Sequence, residues 1–507
     1  MVVSAALSGL HHGYRLRYEF CRTAHPYILD ADSGLSPLTP EWWRADSTWD
    51  RRRADCFRTA AGCGTSRSRY SRKEHTGMKK RKLLLVVVLC LAISAVLVAL
   101  GRNEESSREA DAVPSPSPSA DNRGPGVSPP PEEMRRLTAM SARFGPTAGV
   151  WTEIELPSEH QNQTPERRLS SGFSTDFSRA LISYNDIIAG GPPKDGIPSI
   201  DNPHFISVRE ADSWLAAQEP VILYRRGNVT RIYPLQVLTW HEIVNDTVSG
   251  HPVAVTYCPL CNTGMVFDRR FAGETLEFGV SGRLIYSNMI MYDRSRESWW
   301  IQATGQSIAG YHAGQQLRLL PSSMLSWADV REFYPDAEVL SRETGYPRDY
   351  GRNPYAGYDT SERPFLYQGP DRVPATDNPM ERVLSVYHEG DVRAVMYSEL
   401  SEHGVMQFSL GDAEIVVFWS PGTASALDTP RIPDGRDVGS ATAFYLDEPH
   451  QSLVFERRNG TIVDTRTGSH WHVTGLSTDG QHRGVELRPA TAVEHFRFSW
   501  EAFHTQP

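Results

Sequence analysis

The apolar positions of this chain change character three times. Leu83 to Leu100 is an unbroken run of 18 uncharged residues, flanked by Lys79, Lys80, Arg81 and Lys82 before and by Glu104, Glu105 and Glu109 after. That length reaches the threshold for a spanning helix, and the basic flank predicts that its C-terminal side faces out of the cytoplasm. From Asn103 to Arg136 the pattern disappears into Pro, Ser, Glu and Gly, a composition that cannot bury enough surface to fold and that Pro keeps extended. Beyond it the apolar runs are short and strand-like, punctuated by Gly, Pro and Asn. Val221–Tyr224, Pro252–Tyr257, Gly264–Phe267 and Glu414–Trp419 are examples. Helical periodicity is confined to Arg209–Gln218, Pro234–Asn245 and the segments after Trp327 and Trp500. The pattern predicts a mostly β fold with a few helices (α+β), preceded by one transmembrane signal-anchor.

A second regularity lies within the β region. Thr304, Gly305, Gly310, His312, Gly314, Leu317 and Arg318 recur at identical spacing as Thr474, Gly475, Gly480, His482, Gly484, Leu487 and Arg488. Just upstream, Asp293, Ser298 and Trp300 match Asp464, Ser469 and Trp471. So many positions in one register predict an internal duplication, two related halves over about 219–337 and 381–505. The expected organisation is a tail or misassigned extension over 1–77, a basic cluster and anchor over 78–102, and a stalk over 103–136. A lead-in segment follows over 137–218, then the first half over 219–370 and the second over 371–507. Met78, heading the basic cluster, is the expected initiator, and the anchor is expected to stay uncleaved.

Charge sharpens the picture. Residues 1–82 hold 16 Lys and Arg against 8 Asp and Glu, a balance of +8; the rest, with 36 against 53, is −17. A strongly acidic body without a basic stripe excludes nucleic acid as a partner. The expected partner is the membrane, through the one N-terminal helix, with the C-terminal domain displayed outside the cytoplasm. No Walker loop, nucleophile elbow, His-Glu-x-x-His or dinucleotide fingerprint occurs.

Chemistry concentrates where the halves differ. The first reads Tyr257-Cys-Pro-Leu-Cys-Asn-Thr-Gly264, the second Trp419-Ser-Pro-Gly-Thr-Ala424, without either cysteine. A Cys-Pro-x-Cys turn between two strands is the form of a metal knuckle, in which backbone amides point at both sulfurs. Thiol–disulfide exchange by Cys258 and Cys261, or an inert structural pair, are the other readings of the same residues. Further ligands must come from elsewhere. His241, in Leu238-Thr-Trp-His-Glu-Ile-Val-Asn-Asp246, is the first candidate, the alternative being a histidine that only hydrogen-bonds in the core; Glu242 beside it is read as an orienting carboxylate, a weaker ligand or a residue facing water. Met289 and Met291 share one strand face by their period-two spacing. Two cysteines with His and Met favour copper; a carboxylate or second His in their place favours zinc. His312 and His482 hold equivalent places in the two halves, which points to a structural role. The loop Tyr346–Tyr358 is read as a pocket wall or a connector. In the Gly190–Asp201 turn, Lys194, Asp195 and Asp201 are read as loop residues within possible reach of the site. A non-enzymatic envelope binding module is the remaining functional reading.

Several of these stretches carry a family resemblance. Trp240-His-Glu-Ile-Val-Asn-Asp, Thr256-Tyr-Cys-Pro-Leu-Cys-Asn-Thr-Gly, Phe278-Gly-Val-Ser-Gly, Met291-Tyr-Asp-Arg and Arg348-Asp-Tyr-Gly-Arg-Asn-Pro-Tyr-Ala-Gly-Tyr resemble the prokaryotic domain-of-unknown-function family thirty-one seventy-nine (DUF3179). The resemblance runs from about Asp176 to the C-terminus and implies an exported or membrane-attached domain, with no catalytic assignment to carry over. Asn262 stands where members often carry Gly; both residue types accept positive φ.

Overall fold

A computed structural model describes residues 154–368 and 378–504; the expected anchor, stalk and N-terminal extension lie outside them. No helix among the described residues is long and apolar enough to cross a membrane. The fold is mostly β with a few short helices. In the first half the principal strands are β1 (Pro220–Arg226), β2 (Val229–Pro234), β3 (Ile243–Val248), β4 (His251–Cys258), β5 (Thr263–Asp268), β6 (Phe278–Ile285) and β7 (Asn288–Asp293). β8 (Trp299–Ile301), β9 (Ser307–Ala309), β10 (Leu319–Leu320) and β11 (Ser323–Ser326) complete that set. The second half holds β12 (Arg382–His388), β13 (Asp391–Met396), β14 (Val405–Leu410), β15 (Ala413–Ser420), β16 (Ser440–Tyr445) and β17 (Phe455–Arg458). β18 (Thr461–Asp464), β19 (His470–Trp471), β20 (Ser477–Asp479), β21 (Arg488–Pro489) and β22 (Thr491–Phe496) follow. Helices α1 (Leu235–His241) and α2 (Trp327–Phe333) belong to the first half, α3 (Tyr397–His403) and α4 (Arg497–His504) to the second.

The sheets come in matching sets. The order β11-β1-β2 recurs as β22-β12-β13, β10-β5-β4-β3 as β21-β16-β15-β14, and β6-β7-β8-β9 as β17-β18-β19-β20. Glu338–Leu340 and Phe205–Ser207 extend the first set, and Ile187–Ala189 pairs with β6. Side chains explain the shared register. The Asp293 carboxylate, fully buried, accepts from the Trp300 indole at 2.9 Å, and Asp464 accepts from Trp471 at 3.2 Å. Ser298 Oγ accepts from the His312 amide at 3.0 Å and Ser469 Oγ from that of His482 at 3.1 Å. Gly310 and Gly480 have positive φ, and a Cβ on either would meet the Cα of Ser298 or Ser469 at 2.9 and 2.7 Å. Each spaced motif is thus one packed corner.

The cores interlock. β22 packs on β5 and β11 on β16, so each half closes the other. One core cluster joins Cys258, Cys261, Met289 and Met291 to Val493, Phe496 and Phe498; another joins Val221, Leu223 and Trp327 to Val416, Phe418 and Phe444.

Two helix expectations are corrected. The stretch Arg209–Gln218 folds as a single turn, Val208–Ala211, closed by a capping box between Ser207 and Glu210. The Pro234–Asn245 helix stops at His241, because Glu242 turns left-handed and Ile243-Val244 enter β3 against Val255 and Thr256. β-branched residues with a ready strand partner prefer the extended form.

Candidate metal centre

β4 and β5 meet at Cys258-Pro-Leu-Cys261-Asn262. The turn closes through Cys261 N–H to Cys258 O (3.2 Å) and Asn262 N–H to Pro259 O (3.3 Å), and Cys258 pairs with Thr263 across the hairpin. Asn262 takes the expected positive φ, 50°. Both cysteines are free thiols and buried, with 1 % and 0 % of their surface exposed. The groups acting on the Cys258 sulfur are the Cys261 thiol and the backbone amides of Met289 and Cys261. The Asn288 amide donates to Cys261 Sγ at 3.3 Å, while that thiol donates to Ser287 O at 3.4 Å. Asn288 is itself fixed by Gln302 Oε1 (3.1 Å) and the Ala303 amide (3.0 Å). Burial pushes the Cys258 thiol well above its ordinary range, and the Cys261 thiol adds to that; the two amides oppose it. The groups acting most strongly on this sulfur are thus a thiol and amides, with no cation among them.

Met289 and Met291 lie on the face of β7 that joins the cysteines' core cluster, whereas Ile290 and Tyr292 face a separate cluster. The period-two placement therefore brings both thioethers to the cysteine side of the strand.

His241 is placed differently from the sequence expectation. Its Nδ1 meets Pro198 O at 2.8 Å and its Nε2 the Tyr350 hydroxyl at 2.6 Å. A carbonyl only accepts, so Nδ1 holds the proton and Nε2 accepts from Tyr350; neither nitrogen has a lone pair to offer an ion. Burial lowers the imidazole pKa to about 4. Among the described residues, Cys258, Cys261 and His241 do not form a group of three donors within mutual reach. The imidazole serves the Tyr346–Tyr358 loop instead.

Glu242 is brought to the site more closely. Its carbonyl accepts from Tyr257 N–H at 2.8 Å, and its carboxyl is buried. Burial, reinforced by the Cys258 charge, pushes the carboxyl well above the usual range, opposed by a hydrogen bond from the Tyr355 hydroxyl at 3.3 Å.

The Tyr346–Tyr358 loop is a connector that covers the turn. Tyr358 donates to Leu260 O at 2.8 Å, and the Asn353 and Tyr358 amides bind Pro430 O and Leu427 O of the second half at 2.8 and 3.0 Å. Lys194, Asp195 and Asp201 serve the other side of β7: Lys194 pairs with Glu297, Asp195 accepts from Tyr292, and Asp201 pairs with Arg294. They do not reach the cysteines.

Sequence reasoning missed what β22 supplies. Glu494 accepts from the Asn262 amide and from Arg382, which also pairs with Asp359 at 3.4 Å. His495 Nδ1 lies 3.4 Å from Thr263 Oγ1. The duplication held a signal for them. Counting back from the shared helix starts, Glu494 and His495 stand where the first half has Met324 and Leu325.

The group of three potential ligands that the described residues do contain is His388, Glu389 and Asp412, at the tips of two hairpins. Its imidazole is already engaged on both sides, by Tyr445 at 3.2 Å and Asp412 at 2.8 Å. It is a surface His–Asp pair.

Fold and site together define a two-part β protein with an enclosed dithiol turn. No curated protein and no solved structure matches the chain. A family model described as "Protein of unknown function (DUF3179)" matches residues 194–507, well over half the chain, and the chain belongs to that family.

Proposed function

We propose that this protein is a membrane-anchored, extracytoplasmic copper(I)-binding protein, with Cys258 and Cys261 as thiolate ligands. The observation that carries the reading is the pair of buried free thiols on one hairpin turn, with the Asn288 side-chain amide donating to the Cys261 sulfur at 3.3 Å. Amide donors around a sulfur stabilise thiolate charge, as a bound ion requires. Zinc asks for four ligands, and no His, Asp or Glu completes a three-donor group with the cysteines among the described residues. Copper(I) is satisfied by two soft sulfurs, and thioethers from Met289 or Met291 suit it as supplements. Exchange chemistry needs a thiol that a partner can reach, and the enclosure of both cysteines argues against it. The anchor Leu83–Leu100 with its basic flank supports the location.

The test is elemental analysis of the full-length chain purified in detergent, beside a Cys258→Ser/Cys261→Thr variant. Those replacements are the residues the second half carries at the matching turn, Ser420 and Thr423. About one copper per wild-type chain, and none in the variant, is expected. Equal copper in both, zinc in place of copper, or no metal in either would overturn the reading.

A further inference from the structure

Each half closes its repeated corner with a histidine, and the two halves set different rings against it. His312 lies 5.6 Å from Trp300 and His482 5.9 Å from Trp471, centre to centre, with both pairs of ring planes inclined by 41°. The Nε2 atoms of both histidines are shut off from solvent and have no hydrogen-bond partner among the described residues. In the first half the connection between β5 and β6 brings Phe271 nearly edge-on to His312, at 5.1 Å and 85°. In the second half the connection between β16 and β17 brings His450 to His482, at 5.5 Å and 76°. A phenyl ring over a buried imidazole is ordinary packing. A second imidazole in the same role puts another nitrogen donor beside one that already lacks a partner.

We propose that His450 and His482 form a metal site separate from the thiol turn, taking one exchangeable divalent transition cation that favours imidazole, through one nitrogen of each ring. The spacing suits it. Two imidazoles that share an ion through bonds of about 2 Å have ring centres roughly 5–5.5 Å apart when the angle at the ion is tetrahedral or somewhat wider. His450 is half-buried, so one side of the pair stays open to water, which supplies the remaining ligands. Neighbouring acids are engaged elsewhere: Asp447 pairs with Arg488, and Asp464 holds the Thr467 hydroxyl and the Trp471 indole. Zinc, nickel and copper(II) share the preference for imidazole. An ion held by two protein atoms exchanges readily and leaves on dialysis against a chelator, so it does not enter the copper stoichiometry of the buried thiols. The inference does not depend on the copper(I) reading, because no residue is common to the two sites.

The experiment is calorimetric titration of Ni(II), which keeps its oxidation state, into the full-length chain in detergent, purified without a polyhistidine tag and stripped with a chelator. All forms carry His11→Gln and His12→Gln, which remove the adjacent histidines of the N-terminal extension. This parent is compared with His450→Phe, which installs the first half's ring type, with His482→Gln, and with His388→Gln as a control at the other histidine cluster. Denaturant midpoints of the metal-free forms are read in parallel. The parent is expected to take one Ni(II) per chain in its tightest phase. That phase should weaken at least about tenfold in His450→Phe and in His482→Gln, and stay within about twofold in His388→Gln. His450→Gln gives a second reading at that position where the phenyl ring lowers the midpoint, and it should show the same weakening. No saturable binding by the parent, an affinity left unchanged by losing either imidazole of the pair, or an equal loss in His388→Gln would each overturn the proposal.

Discussion

The backbone amide of Phe496 donates to the carbonyl of Cys261 across 2.8 Å, so the last strand of the second half is bonded directly to the cysteine turn of the first. The Phe496 side chain is fully buried in the core cluster that holds both cysteines. The half without cysteines is thus part of the wall around them.

Interlocked cores predict a single cooperative unit. Phe496→Ala leaves a cavity at the junction and is expected to cost about 3–5 kcal/mol. The unfolding transition of the variant should remain single, because β22 closes the first half as well as its own. Equilibrium denaturation followed by tryptophan fluorescence and circular dichroism checks this. Two separated transitions, or no loss of stability, would refute it.

The repeated corner predicts parallel effects at distant sites. Asp293 holds the Arg296 and Ser298 amides and the Trp300 indole, at 2.7, 3.0 and 2.9 Å. Asp464 holds the Thr467 amide and hydroxyl and the Trp471 indole. Removing either carboxylate strands buried donors at roughly 1–3 kcal/mol each. Asp293→Ala and Asp464→Ala should therefore each destabilise the chain by several kcal/mol, measurable as a fall in urea midpoint. A neutral result at either would separate the two corners.

These corners were readable in the sequence because their partners lie within about twenty residues of one another. The strands were readable for the same local reason: Pro252–Tyr257 and Glu414–Trp419 are apolar runs long enough for a strand and too short for a helix. What was not readable depends on distant chain. His241 is turned away from the cysteines by Tyr350, 109 residues on, and Pro198, 43 residues back. The early end of α1 follows from the pairing of Ile243 with Thr256, which outweighs a helix-like periodicity in the local pattern. Glu494 and His495 reach the turn from more than 230 residues away, and no spacing rule addresses that separation.

Acid sensitivity follows from two buried histidines. His504 bonds Trp500 O at 2.8 Å and lies 3.1 Å from the Tyr387 hydroxyl; burial lowers its pKa to about 4. His495, 2.8 Å from Ser385 Oγ, is lowered well below its ordinary value by burial and by His504. Both are folded in the neutral form. Below 6.5, the ordinary value, the unfolded chain takes up protons that the folded chain refuses until about pH 4. Their contribution to stability therefore declines as pH falls through that window. Buried acids such as Glu242, whose pKa is raised, act in the opposite sense, so the test is differential. His504→Gln should flatten the pH dependence of stability between pH 6 and 4 by up to one proton, roughly 1.4 kcal/mol per pH unit. Identical slopes for variant and wild type, from urea midpoints at several pH values, would rule this out.

The last prediction concerns the cysteines without any metal. A buried thiol reacts only when the surrounding structure opens, and a raised pKa keeps it protonated in the interval. Cys258 meets both conditions, and Cys261 is fully enclosed. In the native, metal-free chain at pH 8, iodoacetamide should leave the peptide bearing Cys258 and Cys261 unmodified over times that label unfolded chain completely. Peptide mapping by mass spectrometry separates these two from Cys21, Cys56, Cys63 and Cys90. Resistance at one thiol and rapid labelling at the other would mean an exposed nucleophile, the signature of an exchange enzyme. Protection of both is the result that fits an ion-binding turn, since the walls that exclude the reagent also keep water from competing for the ion.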